Sequence, residues 1–317
     1  MSVVLCVLLA AAQAPPVEFP VTALKPALAE ARAAGRLVVA EFWTMKTEPS
    51  RSYRTRTLSA PAVLAWLATH GVGARVNADF NAKICAQLAV ADVPTLLVLD
   101  PGASVWGRIA GEKKPEDIVV ELEAARAARA AFAEAEATLA SAPDDARALR
   151  VRVEGLLRNE KPAEAEKALA HLARVHREAQ GREALALRIG DLFFAARQDA
   201  DARRIYMQAA DWARNGDRSV RPPAVIALAA IELRGNRPDS AAKIIEILLG
   251  ESDRFPERSK ALFMLGETYL TKLGDRAKAK EVLLRLTDNY ADRYAEAAGS
   301  LLRYIELQEQ GVIGADQ

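Results

Sequence analysis

The chain is poor in the residues that carry most metal and nucleophile chemistry. Its 317 residues include two cysteines, Cys6 and Cys85, and three histidines, His70, His171 and His176. These match no metal-ligand spacing. His171 and His176 stand five apart, off the i, i+4 spacing that would place both on one helical face, and read as two surface histidines. Excess charge is lacking too: 43 Lys and Arg face 42 Asp and Glu, a net +1. No charge field favours nucleic acid, and no nucleic-acid-reading motif is present. The apolar run at the start spans about ten residues, too short for a membrane-spanning helix. No cofactor site is expected. What remains is ordinary globular material, 51% hydrophobic and 27% charged, long enough for two domains.

That first run, MSVVLCVLLAAAQAPPVEF, reads as a signal peptide over residues 1–14. Pro15 would hinder a cut after Ala14, so cleavage is expected after Ala12, with Gln13 as the mature start. The protein is then exported, periplasmic or otherwise extracytoplasmic. The alternative is a buried N-terminal strand and a cytoplasmic protein. Cys6 lacks the preceding small residues of a lipoprotein box, and once the segment is removed Cys85 is the last thiol.

Periodicity places helical spacing from Val21 to about Gly35, then a buried strand over Arg36–Trp43. Ser59-Ala60-Pro61 caps a helical segment running to Gly71, with Val63, Leu64 and Leu67 on one face. Val72–Ala78 is a strand, Lys83–Leu88 a short helix, and Val93–Asp100 a strand. Pro101-Gly102 turns the chain into a strand over Val105–Ala110. Lys114-Pro115-Glu116-Asp117 then opens a helix that continues past Glu136.

Trp43 closes the first strand and begins the stretch Trp43-Thr44-Met45-Lys46-Thr47-Glu48-Pro49-Ser50-Arg51. Together with Val93-Pro94-Thr95 and the turn at Pro101-Gly102, this order resembles a thioredoxin-like domain over residues 21–124. The resemblance implies a cis peptide bond at Pro94, facing the active-site loop across a groove. It also places the two redox cysteines at Thr47 and Ser50. Neither residue can form a thiolate or a disulfide, so both steps of dithiol exchange are missing. A hydroxyl nucleophile needs a histidine base, and the only histidine in this region, His70, is expected at the far end of the helical segment that begins near Pro49. Thr47 or Ser50 is instead expected to cap that helix. Glu41 stands where the resemblance puts a buried acid beneath the cysteines. Without thiols it reads as a strand-end carboxylate paired with Lys46 or an arginine. Cys85, beside Ile84 and Leu88, reads as a small buried hydrophobe.

After a helical linker over residues 125–145 the texture becomes alanine-rich and strandless through residues 146–310, with a tail at 311–317. Four segments align: Val153, Leu156, Ala165, Leu169 and Leu172; Gly190, Phe193, Ala202, Tyr206 and Ala209; Ala229, Glu232, Ala241 and Ile245; Gly266, Tyr269, Ala279 and Leu283. The first position recurs at steps of 37 to 39 residues. Small residues on each of two helices, with an aromatic between, resemble the tetratricopeptide repeat, in which close backbones need small contact residues. Tyr290–Leu307 reads as a capping helix. The fold class is therefore α/β plus all-α: a thioredoxin-like fold followed by a tetratricopeptide α-solenoid, similar to chaperedoxin-type proteins.

The function expected from this reading is non-catalytic binding of protein or peptide partners, as an adaptor or chaperone-like holdase. The binding residues are Trp43, Thr47, Pro49, Ser50, Arg51, Arg54, Val93 and Pro94, in the former active-site loop and groove. Arg51, Tyr53, Arg54 and Arg56 add residue types favoured at binding hot spots. The concavity of the repeats is a second expected surface. The alternatives are a thiol–disulfide enzyme relying on Cys85 and a structural module of a larger envelope assembly.

Overall fold

The computed structural model describes residue 19 and residues 23–46, 53–310 and 312. The signal segment 1–14, most of the tail, and Thr47, Pro49, Ser50 and Arg51 of the expected groove lie outside the described residues. Two compact units divide between Glu134 and Ala135.

The first unit forms because one strongly apolar run, Leu37-Val38-Val39-Ala40-Glu41-Phe42-Trp43, has both faces covered. This strand, β1 (Leu37–Trp43), follows helix α1 (Leu24–Ala34), which stops at Gly35 in the left-handed conformation, φ 64°. The chain then runs through α2 (Pro61–His70), β2 (Gly71–Asn77), α3 (Ala82–Gln87), β3 (Thr95–Leu99), β4 (Val105–Ala110) and α4 (Pro115–Ser141). The sheet order is β2-β1-β3-β4, with β2 parallel to β1 and the other two pairs antiparallel. Alternation along β1 sends Leu37 and Val39 to a core shared with Trp66, Leu96, Ile118 and Leu122. Val38, Ala40 and Phe42 go to the opposite core, with Ala27, Ala31, Val76 and Leu97. Each fully buried Leu, Val or Phe here contributes about 1.5–3 kcal/mol, and both faces are filled.

The helical segment expected from Pro49 to Gly71 is interrupted. Arg54–Leu58 forms one π-helical turn, Ser59 and Ala60 leave the helix, and α2 restarts with Pro61 in its first turn. Proline cannot donate the backbone bond that a continuous helix would need there. Ser59 does not cap α2 either; its Oγ accepts from the Phe19 N–H at 3.3 Å.

The second unit is helical throughout. Four antiparallel pairs, α5 (Ala146–Arg158) with α6 (Pro162–Val175), α7 (Arg182–Ala195) with α8 (Asp199–Trp212), α9 (Arg221–Arg234) with α10 (Pro238–Glu251), and α11 (Arg258–Thr271) with α12 (Arg276–Asn289), are followed by α13 (Arg293–Glu309). Asp145, Asp275 and Asp292 cap their helices through side-chain oxygens, and Pro162 and Pro238 open theirs. The aligned positions are interior: Val153, Ala165, Ala202, Tyr206, Ala229, Ala241, Ala279 and Leu283 are buried. Glycine is required at two of them. A Cβ on Gly190 would lie 2.6 Å from the Tyr206 ring, and one on Gly266 would lie 2.6 Å from Leu283 Cδ2. In the third pair the aromatic position is Glu232, which is buried and held by both Arg203 and Arg237. Two guanidinium groups compensate the carboxylate that replaces the ring.

The two histidines expected to stand apart converge. His171 Nε2 is 2.7 Å from Asp144 Oδ1, and His176 Nε2 is 2.5 Å from the Asp144 carbonyl oxygen. His176 follows the last residue of α6, so helical spacing no longer sets its direction.

Candidate functional site

The C-terminal ends of β1 and β2 and the start of β3 meet at one edge of the sheet. Antiparallel pairing sets Phe42 opposite Thr95, which brings Pro94 level with Trp43. The Val93–Pro94 peptide bond is cis. Gly111 N–H donates to the Pro94 carbonyl at 2.8 Å, and Thr95 Oγ1 donates to the Asp92 carbonyl at 2.7 Å, so the bend is held on both sides. Trp43 is half-buried, Val93 half-buried and Pro94 buried. Strand pairing therefore places Trp43, Val93 and Pro94 at the same end of the sheet. Arg54, in the π turn, is half-buried, and its charge is felt at Glu41.

Glu41 is not a strand-end group. It is completely buried, on the β1 face that carries Leu37 and Val39, and its partner is Arg75 rather than Lys46. Parallel register places Arg75 of β2 opposite Glu41. Arg75 Nε binds one carboxylate oxygen closely, and Nη2 is 3.5 Å from the other. The same guanidinium lies 4.3 Å from the centroid of the Trp43 ring. Burial pushes the Glu41 carboxyl upward from its ordinary range, and the bonds and charge of Arg75 pull it back only in part. Above the same face lies Tyr53, buried with its hydroxyl unpartnered, and the loss of water raises its pKa as well.

Lys46 goes elsewhere. Its ammonium is 3.0 Å from Asp79, whose carboxylate also accepts from Thr44 Oγ1 at 2.8 Å and from Met45 N–H at 3.1 Å. These bonds hold the Asp79 carboxyl below the usual carboxylate range and staple the exit of β1 to the turn after β2. On these two loops Met45 and Phe80 are 55% and 76% exposed, which extends apolar surface at the edge where Trp43 sits. Sequence reasoning singled out none of Met45, Arg75, Asp79 and Phe80. Arg75 is the only charge in the strand Gly-Val-Gly-Ala-Arg-Val-Asn, which was the available signal.

Cys85 sits on α3 in the core beneath the other sheet face, with Phe42 and Val76, and burial raises its thiol pKa. Among the described residues no group of three or more His, Cys, Asp or Glu is arranged to hold a metal, and no helix is long and apolar enough to cross a membrane.

A family model for the tetratricopeptide repeat matches residues 260–293. Among solved structures, a thioredoxin from Thermus thermophilus is similar at 27% identity, covering 34% of this chain and 86% of that one, with a TM-score of 0.32. A DsbH oxidoreductase is similar at 15% identity over 36% of this chain and 90% of its own, TM-score 0.32. YrrB, described as a TPR protein with an unusual peptide-binding site, is similar at 19% identity over 56% and 87%, TM-score 0.42. No curated protein matches the sequence. On its strand order, its spaced helical pairs and the family match, the chain joins a thioredoxin-like fold to tetratricopeptide repeats, and such repeats point to protein or peptide partners.

Proposed function

We propose that this chain is an exported, non-catalytic adaptor of the holdase type, which holds extended protein segments at the edge formed by Trp43, Val93 and Pro94. The observation that carries this reading is the placement of its thiol. Cys85 is the only cysteine among the described residues, and it lies in the apolar core on the Phe42 face, opposite the face of Glu41. A nucleophilic thiol needs an electropositive, accessible setting, and here burial disfavours the thiolate. At the end of β1 the sequence offers Thr47 and Ser50 instead. What that edge presents is a half-buried indole, a fixed bend and two exposed apolar side chains, the kind of surface that takes up an extended chain.

The test pairs two assays on purified protein. Disulfide reduction should be absent, and aggregation of an unfolded client should be suppressed. Trp43→Ala, or charge reversal at Arg51 and Arg54, should weaken that suppression while far-UV circular dichroism stays unchanged. Reductase activity in the natural sequence that disappears in Cys85→Ser would overturn the reading in favour of a thiol enzyme. Export is checked by the mass of protein from its own host, which should begin at or near Gln13; an intact Met1 or Ser2 would place the protein in the cytoplasm.

A further inference from the structure

The loops that join one helical pair to the next form two neighbouring clefts in the second unit, and their charges differ. The first, about 610 Å³, is lined by Arg177 and Arg182 together with the carboxylates of Glu178, Glu183 and Asp217, and the Arg182 guanidinium lies 4.8 Å from the Trp212 ring centroid. Two cations face three carboxylates there, so its lining is acidic on balance. The second, about 590 Å³, lies between the segments around Arg218 and Arg254 and is lined by four arginines, Arg214, Arg218, Arg221 and Arg254, against one carboxylate, Glu251.

That carboxylate is already committed. Arg221 Nε donates to Glu251 Oε2 at 2.8 Å and its Nη2 binds the other oxygen. Neighbouring acids are committed as well. Asp253 pairs with Arg258 and Arg285, Asp217 accepts from the N–H and hydroxyl of Ser219, and Asp211 is 3.4 Å from Arg214. Arg218 and Arg254 are exposed, and no carboxylate among the described residues pairs with either. Between these cations the floor is apolar, formed by Pro222, Leu248 and Phe255. Size, apolar floor and convergent donors are those of a ligand-binding cleft, and arginine with an aromatic neighbour is the composition of a binding hot spot.

We propose that this cleft binds an acidic peptide segment that carries a large apolar side chain. Its carboxylates pair with Arg218 and Arg254, and its apolar side chain rests on Phe255 and Pro222. An exposed guanidinium binds a carboxylate through two parallel bonds, which gives the site preference for acidic side chains over other polar ones. The inference rests on the protein-binding reading of the repeats, but it uses none of the residues at the Trp43 edge.

The experiment is fluorescence anisotropy on the full chain with labelled ten-residue peptides. One is rich in Asp and Glu with a central Leu-Phe, one has Lys in place of the acids, and one keeps the acids with Ala in place of Leu-Phe. The acidic apolar peptide should bind at least tenfold more tightly than either comparator, and its binding should weaken as salt is raised. Arg218→Glu with Arg254→Glu should weaken it at least tenfold, the milder pair Arg218→Gln with Arg254→Gln several-fold, and Phe255→Ala several-fold. Both arginines are exposed, and a thermal melt confirms that each variant is folded. Equal binding of the Lys peptide, unchanged binding by the double variants, or equally tight binding of a single-stranded oligonucleotide would overturn the proposal. Trp43→Ala should leave this binding unchanged. If client protection fails while the acidic peptide still binds, the holdase reading falls and the cleft stands; the reverse outcome removes the cleft alone.

Discussion

Gly190→Ala is a one-carbon test of how closely the second helical pair is packed. The added Cβ would lie 2.6 and 2.7 Å from two carbons of the Tyr206 ring. Relaxed carbon contacts fall near 3.5–4.0 Å, so the overlap is roughly 1 Å. Tyr206 cannot easily retreat: it is 1% exposed, and its hydroxyl donates to Asp191 at 2.7 Å. Overpacking of this kind costs about 1–3 kcal/mol, while alanine recovers up to about 1 kcal/mol of helix propensity over glycine. The packing cost wins, and a net loss of about 1–2 kcal/mol is expected. Gly299→Ala is the matched control, because Gly299 is exposed in α13 with nothing near its Cβ direction. There only the propensity gain applies, and stability should rise by about 0.5–1 kcal/mol. Urea unfolding of both variants, followed by far-UV circular dichroism, gives the comparison. If Gly190→Ala is as stabilising as Gly299→Ala, the two helices do not approach as described, and the repeat register is wrong.

Three further outcomes are expected. Glu232→Ala should cost about 1–3 kcal/mol in the same unfolding assay, because the charge-assisted bonds to Arg203 and Arg237 are lost while both guanidinium groups keep access to water; a loss below about 0.5 kcal/mol would mean the pairs are not formed. Acid should weaken the first unit through Asp79, whose folded pKa is lowered: its contribution is complete above the ordinary carboxylate pKa and is lost as pH falls through the folded value. Asp79→Asn should flatten that acid-side slope in a pH series of thermal melts, and an unchanged slope would refute the role. Ala202→Leu should destabilise by about 1–3 kcal/mol, since Ala202 is fully buried; no change in the urea midpoint would mean that its side faces open space.

The fold was legible where local chemistry and global packing agree. The Phe42-Trp43 strand end, the Val93-Pro94-Thr95 bend and the recurring small residues each carry their geometric reason in the residue type. Glu41 was harder to read because its partner is set by the β1–β2 register, which pairs residues 34 positions apart. The π turn at Arg54–Leu58 was hidden because helical periodicity continues across it, and only Pro61 hinted at a break. The Asp144 meeting point of His171 and His176 depends on where α6 stops. At the candidate site, Met45 and Phe80 escaped notice because a single apolar residue in a polar turn is unremarkable until two such turns are seen to converge.

Arg75 has a consequence for what this scaffold is able to become. With Arg75 in place, Glu41 is a fixed charge partner with both oxygens engaged. Without it, only the charge of Arg54 would oppose burial, and the carboxyl pKa would move further upward. An acid–base role for Glu41 is therefore governed from β2, by Arg75, and not from the strand that carries the carboxylate.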